Sequence, residues 1–200
     1  MTSVVSICNL ALANVGKPDI QDINEASAEA VACKKFYAQA RDTLLQSYPW
    51  RFAQATEALA EVTNTKPDRW GYAYQRPTDC LKLRRVTDSY DLDYLPDDGV
   101  SVIGGGFAYA IEGDTVFCSI SPAYLVYTQR LEDPTRYPPL FVEALSWHLA
   151  VKLAMPLTRD PKVRADAYQL AVQTMGQAGV SDANEVRQVD DAPSRAIEGR

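Results

Sequence analysis

One segment limits the folds that this chain can adopt: residues 138–155, PPLFVEALSWHLAVKLAM, in which only Glu143 and Lys152 carry a formal charge. Pro139 suits a first helical turn, where its missing N–H would have no partner, and Pro156 should stop or kink the helix. Apolar residues cover most of the helix circumference, so the helix needs neighbours on more than one side. We expect it to be the central helix of a helical core, because it is slightly short and too polar for a membrane span. The apolar positions that recur at three- and four-residue steps are Phe141, Leu145, His148, Val151 and Met155.

Capping residues and apolar periodicity predict three more helices. Thr2 or Ser3 can cap the first, which ends at Gly16, and Ser27 can cap the second. The last helix begins at Pro161 and should weaken near the glycines that follow residue 175. The predicted bounds are residues 3–15, Ala28 to Ser47, and Pro161 to about Gly176 or Gly179.

The chain between residues 50 and 130 has the alternation that is typical of β-strands. Trp70, Tyr72 and Tyr74 alternate with small or polar residues, and Gly113-Asp114 suits a two-residue hairpin turn. We predict a small mixed or antiparallel sheet of about five strands, inserted between helical halves. Residues 53–62, AQATEALAEV, are good helix formers, and their propensity alone predicts a helix.

These patterns predict an α+β protein, a four-helix bundle with a small inserted β-sheet subdomain and an extended C-terminal tail. The single domain should cover residues 1–180, with helical parts at 1–49 and 138–180 and the β insertion at 50–130. Residues 181–200 lack core periodicity and should form a flexible or partner-ordered arm. Apolar residues make up 46% of the chain, enough for a core, and the net charge of −6 argues against sequence-specific DNA binding.

The four cysteines are far apart and form no CxxC pair. Each lies among apolar residues, so we interpret them as buried free thiols rather than as disulfides or metal ligands. No charged-then-apolar leader precedes the first helix, and synthesis in a reducing cytoplasm is expected. The positions are Cys8, Cys33, Cys80 and Cys118.

No catalytic, metal-binding or cofactor-binding constellation is predicted. His148 is the only histidine, and we interpret it as a core residue with satisfied hydrogen bonds rather than as a catalyst. The triple glycine at residues 104–106 lacks the spacing and the lysine of a phosphate-binding loop. The acidic segment 88–98 has Leu95 and Pro96 where a calcium loop needs an oxygen ligand and a glycine, so it is interpreted as a solvated loop. Its acidic residues are Asp88, Asp91, Asp93, Asp97 and Asp98.

Four motifs in order resemble the head-to-tail adaptor family of tailed phages, in particular the tail tubular protein A type of short-tailed phages. They are ICNLALANVG at 7–16, ARDTLLQSYPWRFA at 40–53, WGYAYQRPTDCLKLRRV at 70–86 and PLFVEALSWHLAVKLAMPLT at 139–158. The resemblance spans roughly residues 3–175. It implies that residues 53–62 form a strand despite their propensity. Large aromatic residues would act as structural anchors, namely Trp50, Phe52, Trp70 and Trp147.

The resemblance also implies a function without catalysis. Family members form a twelvefold ring in the virion, which joins the capsid portal to the tail nozzle, a protein of the tail tubular protein B type. Genomic DNA passes through the lumen without sequence-specific binding, and the acidic segment 88–98 could face this channel. Assembly would take place in the host cytoplasm, and deleting residues 181–200 should leave the fold intact but abolish portal binding. The candidate portal contacts in the arm are Val186, Arg187, Val189 and Arg195.

Three other functions remain open from the residues alone. A tail-side connector or completion protein would share the ring but bind tail-tube protein. A virion-associated cell-wall hydrolase would need two carboxylates across a cleft, and the sequence places no such pair. A small-molecule binding module would use the aromatic face of Trp70, Tyr72 and Tyr74, which is more typical of a core or a subunit interface.

Overall fold

Four α-helices and two antiparallel β-sheets form the part of the chain that the computed structural model describes, residues 2–88 and 106–184. The predicted α+β class is confirmed. A 3₁₀ turn at Pro134–Arg136 leads from the last strand into the third helix. The helices are α1 (Val4–Asn14), α2 (Ala28–Ser47), α3 (Pro139–Thr158) and α4 (Pro161–Asn184).

The predicted caps begin the first two helices. Ser3 and Ser6 form a reciprocal capping box at α1, and the Ser27 hydroxyl accepts a hydrogen bond from the Ala30 N–H at 3.2 Å. The predicted bounds of α2 are confirmed at both ends. It ends at Tyr48 because the residue before a proline avoids the helical region.

Helix α3 is central, as predicted, and contacts α1, α2 and α4. The buried face differs from the predicted stripe: Leu149 and Leu153 are fully buried, whereas His148 is half-buried and Met155 is 38% exposed. Packing against three helices, rather than apolar periodicity, selects the buried side. Of the two outcomes predicted at Pro156, the stop does not occur, because α3 continues to Thr158 and ends at Arg159 with φ 56°; the kink stays a prediction.

Among the described helices, α3 is long and apolar enough to cross a membrane by length and composition, with a mean hydropathy of 1.3 over its best 18-residue window. Buried residues make up 44% of that window. The contacts with three other helices are those of a core helix.

Helix α4 passes through both of its glycines, contrary to the prediction that it weakens there. A glycine inside a helix costs up to about 1 kcal/mol relative to alanine, and packing can offset this. A Cβ atom on Gly179 would lie 3.1 Å from the Tyr48 ring, so the bare backbone permits a close approach. Residues 181–184 are helical, so the predicted start of the C-terminal arm at residue 181 is wrong.

The middle of the chain forms seven described strands in two sheets, not one sheet of about five. The strand orders are β1-β7-β4 and β2-β3-β6-β5, and every pair is antiparallel. The inner faces share one apolar cluster, which includes Tyr74, Val116 and Leu125. The strands are β1 (Gln54–Ala58), β2 (Glu61–Val62), β3 (Tyr72–Gln75), β4 (Cys80–Thr87), β5 (Tyr109–Glu112), β6 (Thr115–Cys118) and β7 (Tyr124–Gln129).

Residues 54–58 and 61–62 are strands, against their helix propensity, but they belong to two different sheets and are not the single strand over 53–62 that the resemblance implied. Strand β1 pairs with β7 from Gln54 opposite Thr128 to Ala58 opposite Tyr124. These long-range backbone hydrogen bonds outweigh a local preference of a few tenths of a kcal/mol per residue. The predicted hairpin turn at Gly113-Asp114 is confirmed, with φ 56° at Gly113.

The β region starts and ends at one place on the helical core. Strands β1 and β7 are neighbours, and the Gln129 N–H donates to the Ala53 carbonyl at 2.8 Å. The predicted insertion between helical halves therefore has its two ends side by side.

All four cysteines are free and buried, which confirms the interpretation as free thiols. Hydrogen bonding with the Cys33 thiol, together with burial, raises the pKa of Cys8. Both residues lie in the helical core, on α1 and α2.

Candidate interaction surface

Trp50 is buried on the connection between α2 and β1, where the chain leaves the helical core for the sheets. Only 1% of it is exposed, and its Nε1–H donates to the Leu44 carbonyl at 2.8 Å. Its ring centroid lies 5.0 Å from that of Tyr48, 5.9 Å from Phe52 and 5.1 Å from Phe141. Burial of such a ring contributes on the order of 2–3 kcal/mol.

Arg84 connects the same junction to the sheet. The Nη2 atom donates to the Tyr48 carbonyl at 2.6 Å, and Nε donates to the Thr128 hydroxyl at 2.8 Å. Burial lowers the pKa of Arg84. This guanidinium therefore belongs to the structural junction and is not part of a free basic face.

Asp182 fixes the last turn of α4 to the same junction. Its carboxylate is nearly buried and accepts the Arg51 N–H with Oδ2 at 2.9 Å and Oδ1 at 3.2 Å. A carboxylate near a helix C-terminus is electrostatically unfavourable. The hydrogen bond to the α2–β1 connection offsets that penalty.

A small, largely apolar cavity of about 140 Å³ opens beside this contact. Cavities of this size lined by apolar side chains can hold a benzene-sized group. Its single charged lining residue is Asp182, so the cavity has no constellation for acid–base chemistry. The other lining residues are Trp50, Phe52, Pro138, Pro139, Leu140, Phe141, Ala178 and Ser181.

The outer face of α4 is the main exposed surface without charge on the helical core. Residues 167–181 are fifteen consecutive residues without a charged side chain. Tyr168, Val172 and Val180 are 61%, 50% and 63% exposed, and with Gly176 they recur every four residues along one side of the helix. A groove runs over Gly176, lined by Val172, Gln173, Gly176, Gln177, Val180, Ser181 and Asn184.

Helix α1 presents a second face of the same kind. The whole segment Val4–Asn14 is uncharged, and Leu10 is 49% exposed on its outer side. Both α1 and α4 pack on α3, but they do not form a packed pair with each other. The two neutral faces are therefore different surfaces of one molecule.

The predicted portal contacts, Val186, Arg187, Val189 and Arg195, lie outside the described residues. The same holds for most of the acidic segment: Asp88 is exposed, and Asp91, Asp93, Asp97 and Asp98 lie outside the described part of the chain. In the triple glycine, Gly106 alone is described, and its backbone lies close to Arg85.

The predicted aromatic anchors differ in their environments. Trp50 is the buried one, Phe52 and Trp147 are half-buried at the edge of the helical core, and Trp70 is half-buried beside the Arg69 guanidinium. Trp70 precedes β3 rather than lying within it. The predicted alternation therefore begins at Tyr72.

His148 is not the satisfied core histidine that the sequence predicts. The ring is half-buried, and its buried Nε2 has no hydrogen-bond partner within the described residues. Burial and the positive charge of Lys152 lower its pKa. An apolar helix face provides few polar groups, which explains the unsatisfied nitrogen.

Two carboxylates share one hydroxyl on the sheet. The Tyr127 OH lies 3.2 Å from Glu57 Oε2 and 3.1 Å from Asp79 Oδ1. Burial and both carboxylates raise the pKa of Tyr127. Neither carboxylate lines the two cavities described above, and no metal-binding cluster of His, Cys, Asp or Glu occurs among the described residues. This arrangement joins β1, β7 and the turn before β4.

No protein-family model matches the sequence, and no curated protein matches it either. The exposed neutral face of α4 was not identified from sequence, although the uncharged run at 167–181 is visible there. A long helix segment without charge, half of it exposed, is an indication of an interface.

Proposed function

We propose that this chain is a structural adaptor of a tailed-phage virion. Copies form a ring that joins the capsid portal to the tail nozzle and continues the DNA channel. The resemblance of the sequence motifs suggests that this ring is a dodecamer. In this proposal the four helices pack as a bundle that builds the ring wall. The adaptor has no catalytic role and needs no cofactor.

The observation that carries the proposal is the uncharged outer face of α4. Tyr168, Val172 and Val180 expose apolar surface over about three helical turns. Soluble surfaces seldom leave a helix side without charge, whereas interface centres are depleted of Lys, Glu and Asp. This face suits contact with another protein. In a ring, the neighbouring copy of the chain would be that protein.

Portal binding is assigned to the segment after α4. Because α4 extends to Asn184, the arm is proposed to comprise residues 185–200 rather than 181–200. Val186 and Val189 would provide apolar contacts, while Arg187 and Arg195 would pair with acidic portal residues. Arm ordering on docking would restrict ring formation to the portal.

Native mass spectrometry of the chain, alone and mixed with portal rings from the same genome, tests the proposal. A ring-sized number of copies should add to the portal. No association under conditions in which the protein is folded would contradict the proposal. Association with tail-tube protein instead would favour a tail-side connector.

Two matched variants test whether the α4 face carries the assembly. Val172→Lys places a charge at the centre of the uncharged face, and burial of an unpaired charge is costly. Val31→Lys places the same charge on α2, beside Lys34 and Lys35, where Val31 is 61% exposed. We expect the first variant to fold but not to form rings on the portal, and the second to assemble normally.

A further inference from the structure

The groove on α4 is a shallow, open depression on one side of the helix. Gly176 lies between Val172 and Val180 on the exposed side, and a Cβ atom placed on Gly176 would meet nothing within 4 Å. Gln173 and Gln177 line the groove with amides, which donate and accept hydrogen bonds without charge. A branched apolar side chain would fit between the two valines.

The charges beside the exposed apolar residues of the other helices restrict which of those helices can cover this groove. On the other helices, Val31 lies beside Lys34 and Lys35, Leu140 precedes Glu143, and Met155 follows Lys152. If any of these three residues docked into the groove, the neighbouring charge would approach the α4 face. That face has no opposite charge to pair with it.

Leu10 differs, because residues 6–14 around it contain no charged side chain. It is 49% exposed at the middle of α1, where Ser6 and Ala13 lie one turn away on either side. The neutral α1 face thus matches the neutral α4 face, without an unpaired charge on either side.

We propose that Leu10 and the outer face of α1 in one copy pack into the α4 groove of the next copy. This inference rests on the proposed function, since it names the contact by which the ring closes. The two faces are different surfaces, so the contact is heterologous, the type that builds a ring when the rotation between copies closes. A contact of α4 with α4 would be isologous and would stop at a dimer.

Cysteine cross-linking between separately prepared variants tests the pairing. Leu10→Cys and Val172→Cys proteins, carrying different tags, are mixed with portal rings and oxidised. A disulfide needs Cα atoms within about 7 Å, so a cross-link reports direct contact. The four native cysteines are buried, and the wild-type chain therefore serves as the blank. Val31→Cys mixed with Val172→Cys is the matched control for an exposed cysteine on another helix.

The inference predicts a 10–172 cross-link between differently tagged copies, with bands that extend beyond the dimer when one chain carries both cysteines. The Val31→Cys control should stay monomeric under the same oxidation. Ring-sized addition to the portal without a 10–172 cross-link, or with a 172–172 cross-link only, would overturn the inference and leave the adaptor proposal standing. No addition to the portal at all would overturn both.

Discussion

The carboxylate of Asp182 accepts the backbone N–H of Arg51 with both oxygens, 131 residues apart in sequence. This contact ties the last turn of α4 to the connection between α2 and β1. It lies beside Trp50 and the small cavity, so three elements of the fold meet there.

Asp182→Ala should destabilise the protein by about 1–3 kcal/mol, because it leaves the Arg51 N–H without its acceptor in a mostly buried place. Asp182→Asn keeps one oxygen acceptor and should cost less. Urea unfolding of both variants measures the difference. Equal stability of the alanine variant and the wild type would mean that the contact is unimportant for the fold.

Two truncations should separate the arm from the helix. Ending the chain after Asn184 should leave the free energy of unfolding unchanged and abolish portal binding, because every described residue of α4, including Asp182, is kept. Ending it after Val180 removes Asp182 as well, and should lower stability by at least the loss seen in Asp182→Ala. Circular dichroism, urea unfolding and portal co-sedimentation report on both. Tight portal binding by the chain that ends at Asn184 would refute the assignment of the arm.

Trp50→Phe should cost about 1–3 kcal/mol, since it removes one of the hydrogen bonds to the Leu44 carbonyl and part of a buried ring. Trp147→Phe is the matched control, because Trp147 is half-buried at the edge of the core. Its cost should be below about 1 kcal/mol. Similar losses in both would argue against Trp50 as the main anchor.

His148 should make stability depend on pH. Its pKa is lowered in the folded chain, so the unfolded chain binds the proton more readily. Stability is therefore full above the ordinary histidine pKa of about 6.5 and falls as the pH drops below it. His148→Leu should flatten this dependence between pH 7.5 and 5.5 in urea unfolding. A dependence that persists in the variant would assign it to other groups.

Gly176→Ala and Gly179→Ala should differ although both glycines lie on α4. Alanine at 176 has open space and should stabilise the monomer by about 0.5–1 kcal/mol. Alanine at 179 would press on the Tyr48 ring at 3.1 Å, so this gain should be reduced or reversed. Thermal unfolding of the two variants compares them directly. A larger gain at 179 than at 176 would contradict this account of the packing.

Much of the helical part follows from local sequence signals. Ser27 and Tyr48-Pro49 predict both ends of α2, and the few charges of α3 predict its central position. The extension of α4 was not predictable, because it depends on contacts of Gly179 and Asp182 with residues more than 100 positions away. The division into two sheets likewise depends on which strands pair across the insertion. For the proposed interaction surface, sequence shows the neutral runs, but only the fold shows that α1 and α4 both contact α3 and expose part of these runs.

The side-by-side ends of the β insertion have an evolutionary consequence. Because Ala53 and Gln129 are hydrogen-bonded neighbours, the segment between them is an insertion that leaves and re-enters the helical core at the same place. Such an insertion can be lengthened, shortened or exchanged as a unit without moving the helices that flank it. A lineage could thus vary what the sheets contact without altering the helical faces that we propose pair one copy with the next.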